Sequence, residues 1–96
     1  MQDSPSRRKS PGTRFHMNGY ARYINLTNAM AAIETREGFT IIEILERCAI
    51  DISDQITGPL DQSGYQTLQN VTKNESFDVS IQNTHCSGTE AIKLLG

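Results

Sequence analysis

The chain has 96 residues, of which 36% are hydrophobic, 6% are aromatic and 21% are charged, and its formal net charge is −2. This length supports one small domain with a compact core and excludes a second folded domain. Its apolar runs are shorter than the roughly 18 residues that span a bilayer, and the N-terminal sequence lacks the apolar core of a secretory signal, so we expect a soluble intracellular protein, cytoplasmic or nuclear.

The charge is distributed unevenly along the chain. Residues 1–17 carry four cations and one acid, a net charge of +3, whereas residues 18–96 carry five cations and ten acids, a net charge of −5. The N-terminal segment has almost nothing apolar to bury, so we predict a disordered basic tail over residues 1–17 and a single domain over residues 18–96. An alternative is that His16-Met17 marks a cloning junction, which would make the tail a remnant of expression.

Two helices are predicted in the first half of the domain. Apolar residues from Leu26 onward recur at i, i+3, i+4 and i+7, which predicts a helix over residues 26–37. Thr40 and Glu43 form a capping box before an amphipathic pattern that includes Leu45, which predicts a second helix from Thr40. A strand is the competing interpretation, because residues 39–45 are rich in β-branched side chains. The pattern extends further than a strand does, and this favours the helix.

The second half of the domain is predicted to contain a hairpin between two short helical elements. A helical turn is predicted over residues 51–56, with an Asp or Ser as its cap. Alternating apolar residues predict strands over residues 65–72 and 77–81, joined as a hairpin. Ser87 and Glu90 form a second capping box, which predicts a brief C-terminal helix.

This order of elements is that of a small winged-helix domain, an α+β fold in which helices are followed by a β-hairpin and a short C-terminal helix. The sequence EILERCAI, ending at Ile50, resembles the second helix and turn of helix-turn-helix DNA-binding domains, with the small Ala49 after the helix. The resemblance covers residues 40–55 and implies a DNA-binding regulator. The helix that would enter the major groove contains Asp54 and no Lys or Arg, which disfavours direct reading of bases.

No combination of residues in the sequence indicates catalysis or a cofactor. His85 precedes Cys86, but neighbours in a chain rarely reach the geometry of a nucleophile and its base, so we expect a structural role for both. His16 and Cys48 do not extend this pair to the ligand spacing of a zinc site. We therefore predict no enzyme, no metal, no cofactor and no small-molecule substrate.

Two functions remain. In the first, a non-enzymatic regulator binds nucleic acid weakly and without sequence preference through the tail cations. These cations are Arg7, Arg8, Lys9 and Arg14. Ser10 follows the first three of these cations in a pattern that kinases accept, and its phosphorylation would cancel much of the tail's charge. In the second, the chain is a protein-interaction or homodimerisation module, in which the acidic body binds a basic partner or the short helices of two copies pair.

Overall fold

The computed structural model describes residues 16–96, which form a closed barrel of six antiparallel strands with one helix on its outside. The order of strands around the barrel is β1-β2-β3-β6-β5-β4. The elements are β1 (Met17–Asn25), β2 (Met30–Thr35), β3 (Gly38–Ile44), β4 (Gln55–Gly58), β5 (Gly64–Asn70), β6 (Glu75–Cys86) and α1 (Gly88–Leu95).

The strand register defines two ends of the barrel. At the upper end β1 turns into β2 at the pair Asn25↔Met30, and β5 turns into β6 at Asn70↔Glu75. The connection over residues 45–54 also lies at this end. At the lower end are Met17, the turn between β2 and β3, and the connection over residues 59–63. Met17 pairs with Gly58, which closes the barrel between β1 and β4.

The predicted winged-helix fold is wrong, because the two helices expected in the first half are the strands β2 and β3 with the turns that precede them. The helix expected over residues 26–37 contains a sharp turn, in which Ala29 has a positive φ of 56°. The segment expected to be the second helix is β3, which pairs along its length with β2 and β6. Helix-turn-helix geometry is therefore not present at residues 40–55.

Burial on both faces explains why β3 resembles a helix in the sequence. Ile42 points into the barrel, whereas its neighbour Ile41 points outward and is covered by α1. The same alternation places Ala31 inside and Ala32 beneath the helix. A strand buried on both faces reads as a continuous apolar run, which lacks the two-residue period that identifies a strand.

The capping box at Thr40 is also a misleading signal. Thr40 lies inside the barrel, where its hydroxyl donates a hydrogen bond of 2.7 Å to the carbonyl oxygen of Leu60. Leu60 is fully buried and closes the lower end of the barrel core. Ile50, from the upper connection, belongs to the same core. The helical turn predicted over residues 51–56 is a turn followed by β4.

The hairpin and the C-terminal helix are confirmed. β5 and β6 pair in one unbroken register from Gly64↔Ile81 to Asn70↔Glu75. Helix α1 has the predicted capping box: the Glu90 amide donates to the Ser87 hydroxyl, and the Ser87 amide donates to the Glu90 carboxylate. Both elements are determined by local sequence signals, which explains why the sequence predicted them.

Helix α1 runs from the lower to the upper end across the outside of β2 and β3. Ala91 and Leu95 are its buried residues, and they pack on Ala32, Ile41 and Cys86. At its C-terminus the side chains of Asn25 and Asn28 donate hydrogen bonds of 2.9 and 3.0 Å to the Leu95 carbonyl oxygen. These bonds satisfy a carbonyl that the helix itself leaves without a partner. They hold the helix end on the turn between β1 and β2.

A candidate interaction face on the barrel

The predicted tail sites lie outside the described residues. These are the cations Arg7, Arg8, Lys9 and Arg14 and the modification site Ser10. The tail was predicted to extend to residue 17, but Met17 begins β1 and is packed against the barrel core.

The structure separates the residues that could carry thiol chemistry. Cys86 is buried under α1, and burial, followed by the charge of Glu90, raises the pKa of its thiol. His85 is exposed, and its Nε2 lies 3.1 Å from the Glu37 carboxylate. Cys48 lies at the opposite end of the barrel. Over residues 16–96 no group of three or more metal-binding side chains comes together, and none of the helices there is long and apolar enough to cross a membrane.

Asp54, expected on a DNA-reading helix, instead belongs to a polar cluster at the upper end, in which Asp54 and Asn70 are buried. Its carboxylate accepts hydrogen bonds from the Asn70 side chain at 2.8 Å and from the Asp51 amide at 2.9 Å. Lys73 lies 3.1 Å from the same carboxylate and 2.9 Å from that of Asp51. The cluster ties the upper connection to the turn between β5 and β6, which is a structural role.

The pKa values of this cluster follow from its contacts. Burial raises the pKa of the Asp54 carboxyl, but the hydrogen bonds from Asn70 and Asp51 and the charge of Lys73 outweigh it, so the net shift is downward. The hydrogen bonds of Lys73 with Asp51 and Asp54 raise the pKa of its ammonium group. Both groups are therefore charged at neutral pH, and the charges compensate one another.

A shallow hollow lies on the outer face of β5, β6 and the end of β3. Helix α1 does not cover this part of the barrel. It has a volume of about 460 Å³, and Leu45, Tyr65, Thr67 and Asp78 line it together with Gln66 and Val79. The Tyr65 side chain is 82% exposed and that of Leu45 is 45% exposed. The Thr67 hydroxyl donates a hydrogen bond of 2.7 Å to Asp78, which holds this carboxylate at the floor of the hollow.

An apolar groove continues from this hollow over the upper end of the barrel. It has a volume of about 380 Å³ and is lined by Leu26, Ala29 and residues 44–48. Leu45 belongs to both depressions, so they form one surface. The Leu26 side chain is 71% exposed beside it. Large apolar side chains that meet at a concave surface are typical of a binding site, whereas single exposed ones are not.

Acidic residues surround this surface. Asp78 lies in the hollow and Glu46 lines the groove, and the negative charges of Glu75 and Glu46 contribute, after burial, to the raised pKa of the Cys48 thiol. Glu43 is exposed on β3 opposite Ser80, the residue that also pairs with Tyr65. Arg47 is the one cation among the residues that line the two depressions. We call the hollow, the groove and their carboxylates the acidic face.

Comparison with models of known protein families, with characterised proteins and with solved structures finds no match to this chain. Sequence reasoning missed the acidic face: Leu45 was assigned to the buried side of a helix, and Tyr65 to a strand without a site. Nothing in their spacing indicates that β3 and β5 flank β6 and bring the two side chains together.

Proposed function

We propose that this protein is a non-enzymatic intracellular interaction module, whose acidic face binds a cationic and partly apolar segment of another protein. The observation that supports this proposal most directly is the combination of Leu45, Tyr65 and Asp78 in one hollow. The apolar side chains offer surface to bury, and the carboxylates select positively charged partners and repel negatively charged ones.

The remaining surface favours this assignment. The part of the chain after residue 17 has a net charge of −5, so a basic partner is attracted to it and a nucleic acid is repelled. A homodimer through paired helix faces stays a prediction: the two helices expected in the first half are strands, and α1 is the one helix among the described residues that could pair in this way. A partner segment in the groove would contact exposed and half-buried side chains, so binding does not require the barrel to open.

Binding of a short synthetic peptide tests this function. The probe is the peptide KLKKLK, and binding is followed at the amide resonances of Leu45, Tyr65 and Asp78 in the full chain. We expect the substitution Leu45→Lys to weaken binding about tenfold or more, because it removes an apolar contact and adds a repelling charge. The matched control is Ile92→Lys, which places the same residue at an exposed position of α1.

The two variants separate specific docking from general attraction. If Leu45→Lys and Ile92→Lys bind the peptide equally, the attraction is non-specific and the face is not a docking site. Absence of any shift in the unmodified chain would reject the module. A peptide of the same length with Glu in place of Lys is expected not to bind.

The tail cations favour a second candidate function, which is weak binding of nucleic acid. Arg7, Arg8, Lys9 and Arg14 form a dense positive group, and phosphate contacts of such a group are independent of sequence and sensitive to salt. We expect replacement of all four cations by Gln to abolish a gel shift of duplex DNA at low salt. Gln55→Ala is expected to leave it unchanged, because Gln55 lies in β4 and contacts Asn18. Dependence on Gln55 would contradict this candidate.

A further inference from the structure

The chain enters the barrel next to the acidic face. His16 lies with Thr67, Leu68 and Gln69 around a small depression of about 180 Å³ on β5. Thr67 also lines the hollow that contains Leu45 and Asp78. The residues that precede His16 therefore start within one side chain of the acidic face.

We propose that the segment of residues 7–14 occupies the acidic face of its own chain. This inference rests on the proposed function of the face, and it identifies the chain's own N-terminal segment as one ligand of that face. The segment is cationic, with Arg7, Arg8, Lys9 and Arg14. The face is anionic on balance, because Glu46 and Asp78 in the two depressions, together with Glu43 and Glu75 beside them, outnumber Arg47, the one cation of the lining. External partners then compete with the chain's own segment.

The length of the segment is sufficient for this contact. An extended chain covers about 3.3 Å per residue, so Arg14 can lie about 7 Å from His16, and Arg7 about 30 Å from it. Neighbouring strands are about 4.8 Å apart, so crossing from β5 over β6 to β3 requires about 10 Å. The segment is thus long enough for Arg14 to reach Asp78 and for the cluster from Arg7 to Lys9 to reach Glu43 or Glu46.

Tethering makes even a weak contact effective. A short tether provides an effective concentration in the millimolar range, so an intrinsic dissociation constant of about 1 mM already leaves much of the face occupied. Because the contact is electrostatic and exposed, salt weakens it. A negative charge at Ser10, in the middle of the cationic segment, also weakens it and exposes the face to other partners.

Amide resonances of the full chain test this inference. The variant R8Q/K9Q removes two charges from the segment, and the matched control R36Q/K93Q removes two charges from the β2–β3 turn and α1. We expect the amides of Leu45, Thr67 and Asp78 to shift in R8Q/K9Q and not in the control. High salt should move the unmodified chain toward the R8Q/K9Q positions, and Ser10→Glu should produce a shift in the same direction.

If the amide resonances of Leu45, Thr67 and Asp78 are identical in the unmodified chain and in R8Q/K9Q, the inference is wrong. Shifts that grow with protein concentration would also overturn it, because the occupant would then be the segment of a second copy.

Titration with KLKKLK separates this inference from the proposed function. If the segment covers the face, the peptide binds R8Q/K9Q several times more tightly than the unmodified chain. Equal binding to both proteins supports the module and rejects coverage by the segment. If the peptide binds neither protein but R8Q/K9Q still shows the shifts described above, the face does not bind external partners. The contact between the face and the chain's own segment is then retained.

Discussion

At the scale of single residues, buried polar groups determine how the connections attach to the barrel. Asp54 holds the upper connection through Asn70 and Lys73, and Thr40 holds the lower one through the Leu60 carbonyl. The buried Asp54, Asn70 and Thr40 have lost water and regained hydrogen bonds, and removal of one partner leaves the other unsatisfied at a cost of about 1–3 kcal/mol. The polar groups therefore specify where the connections dock.

The Asp54 carboxylate predicts a dependence of stability on pH. Its pKa in the folded chain is lower than the unfolded value of about 3.9, so its contribution is complete above that value and is lost as the pH falls through the folded pKa. Asp54→Asn removes the charge, and we expect it to lower the free energy of unfolding by about 1–3 kcal/mol at neutral pH. Urea unfolding of both proteins at neutral and acidic pH measures the difference, which should shrink on acidification. A difference that is independent of pH would contradict this role.

At the scale of elements, the helix α1 combines local and tertiary determinants. Its start is specified by the Ser87 and Glu90 capping box, and its position is specified by apolar contacts with β2 and β3. Eight residues are too few for a stable isolated helix, so the packing of Ala91 and Leu95 supplies most of its stability. Helix and strands depend on each other, because α1 covers the outward Ile41.

The capping box predicts a measurable effect of one substitution. Ser87→Ala removes the acceptor of the Glu90 amide, and we expect the free energy of unfolding to fall by about 1 kcal/mol. Ser63→Ala, at an exposed position of the lower connection, is the matched control and should change it little. Thermal unfolding of the two variants measures both effects. Equal stability of the two variants would show that the cap contributes nothing to the docked helix.

At the scale of the whole molecule, the sheet closes around one interior core. Side chains from both connections complete this core, Ile50 at the upper end and Leu60 at the lower end. Closure also removes the free strand edges that an open sheet of six strands would present. The acidic face depends on the order of the strands, because it requires β3 and β5 to pair with the two sides of β6.

The lower connection provides the test of this account. Leu60→Ala leaves a cavity at the end of the core, and we expect it to lower the free energy of unfolding by about 2–5 kcal/mol. Leu94→Ala, which shortens an exposed side chain of α1, is the control and should cost far less. Chemical denaturation of both variants compares the costs. If Leu60→Ala costs no more than Leu94→Ala, the connection does not close the core.

The sequence by itself determined the features that depend on residues close together in the chain. The hairpin of β5 and β6 follows from alternation on strands with one exposed face, and α1 follows from a capping box, so both were predicted. The negative net charge of residues 18–96 likewise follows from composition alone. These signals depend on residues that are close together in the chain, so the tertiary structure leaves the predicted hairpin and helix unchanged.

Only the tertiary structure decided between helix and strand in the first half of the chain. Ile41 and Ile42 are both buried because α1 covers the outside of β3, and this dependence on a distant helix removed the alternation that marks a strand. Thr40 followed by Glu43 matched a capping box, yet Thr40 bonds to Leu60, twenty residues away. The acidic face was equally inaccessible to sequence reasoning, because Leu45 and Tyr65 become neighbours only when β3 and β5 pair with the two edges of β6.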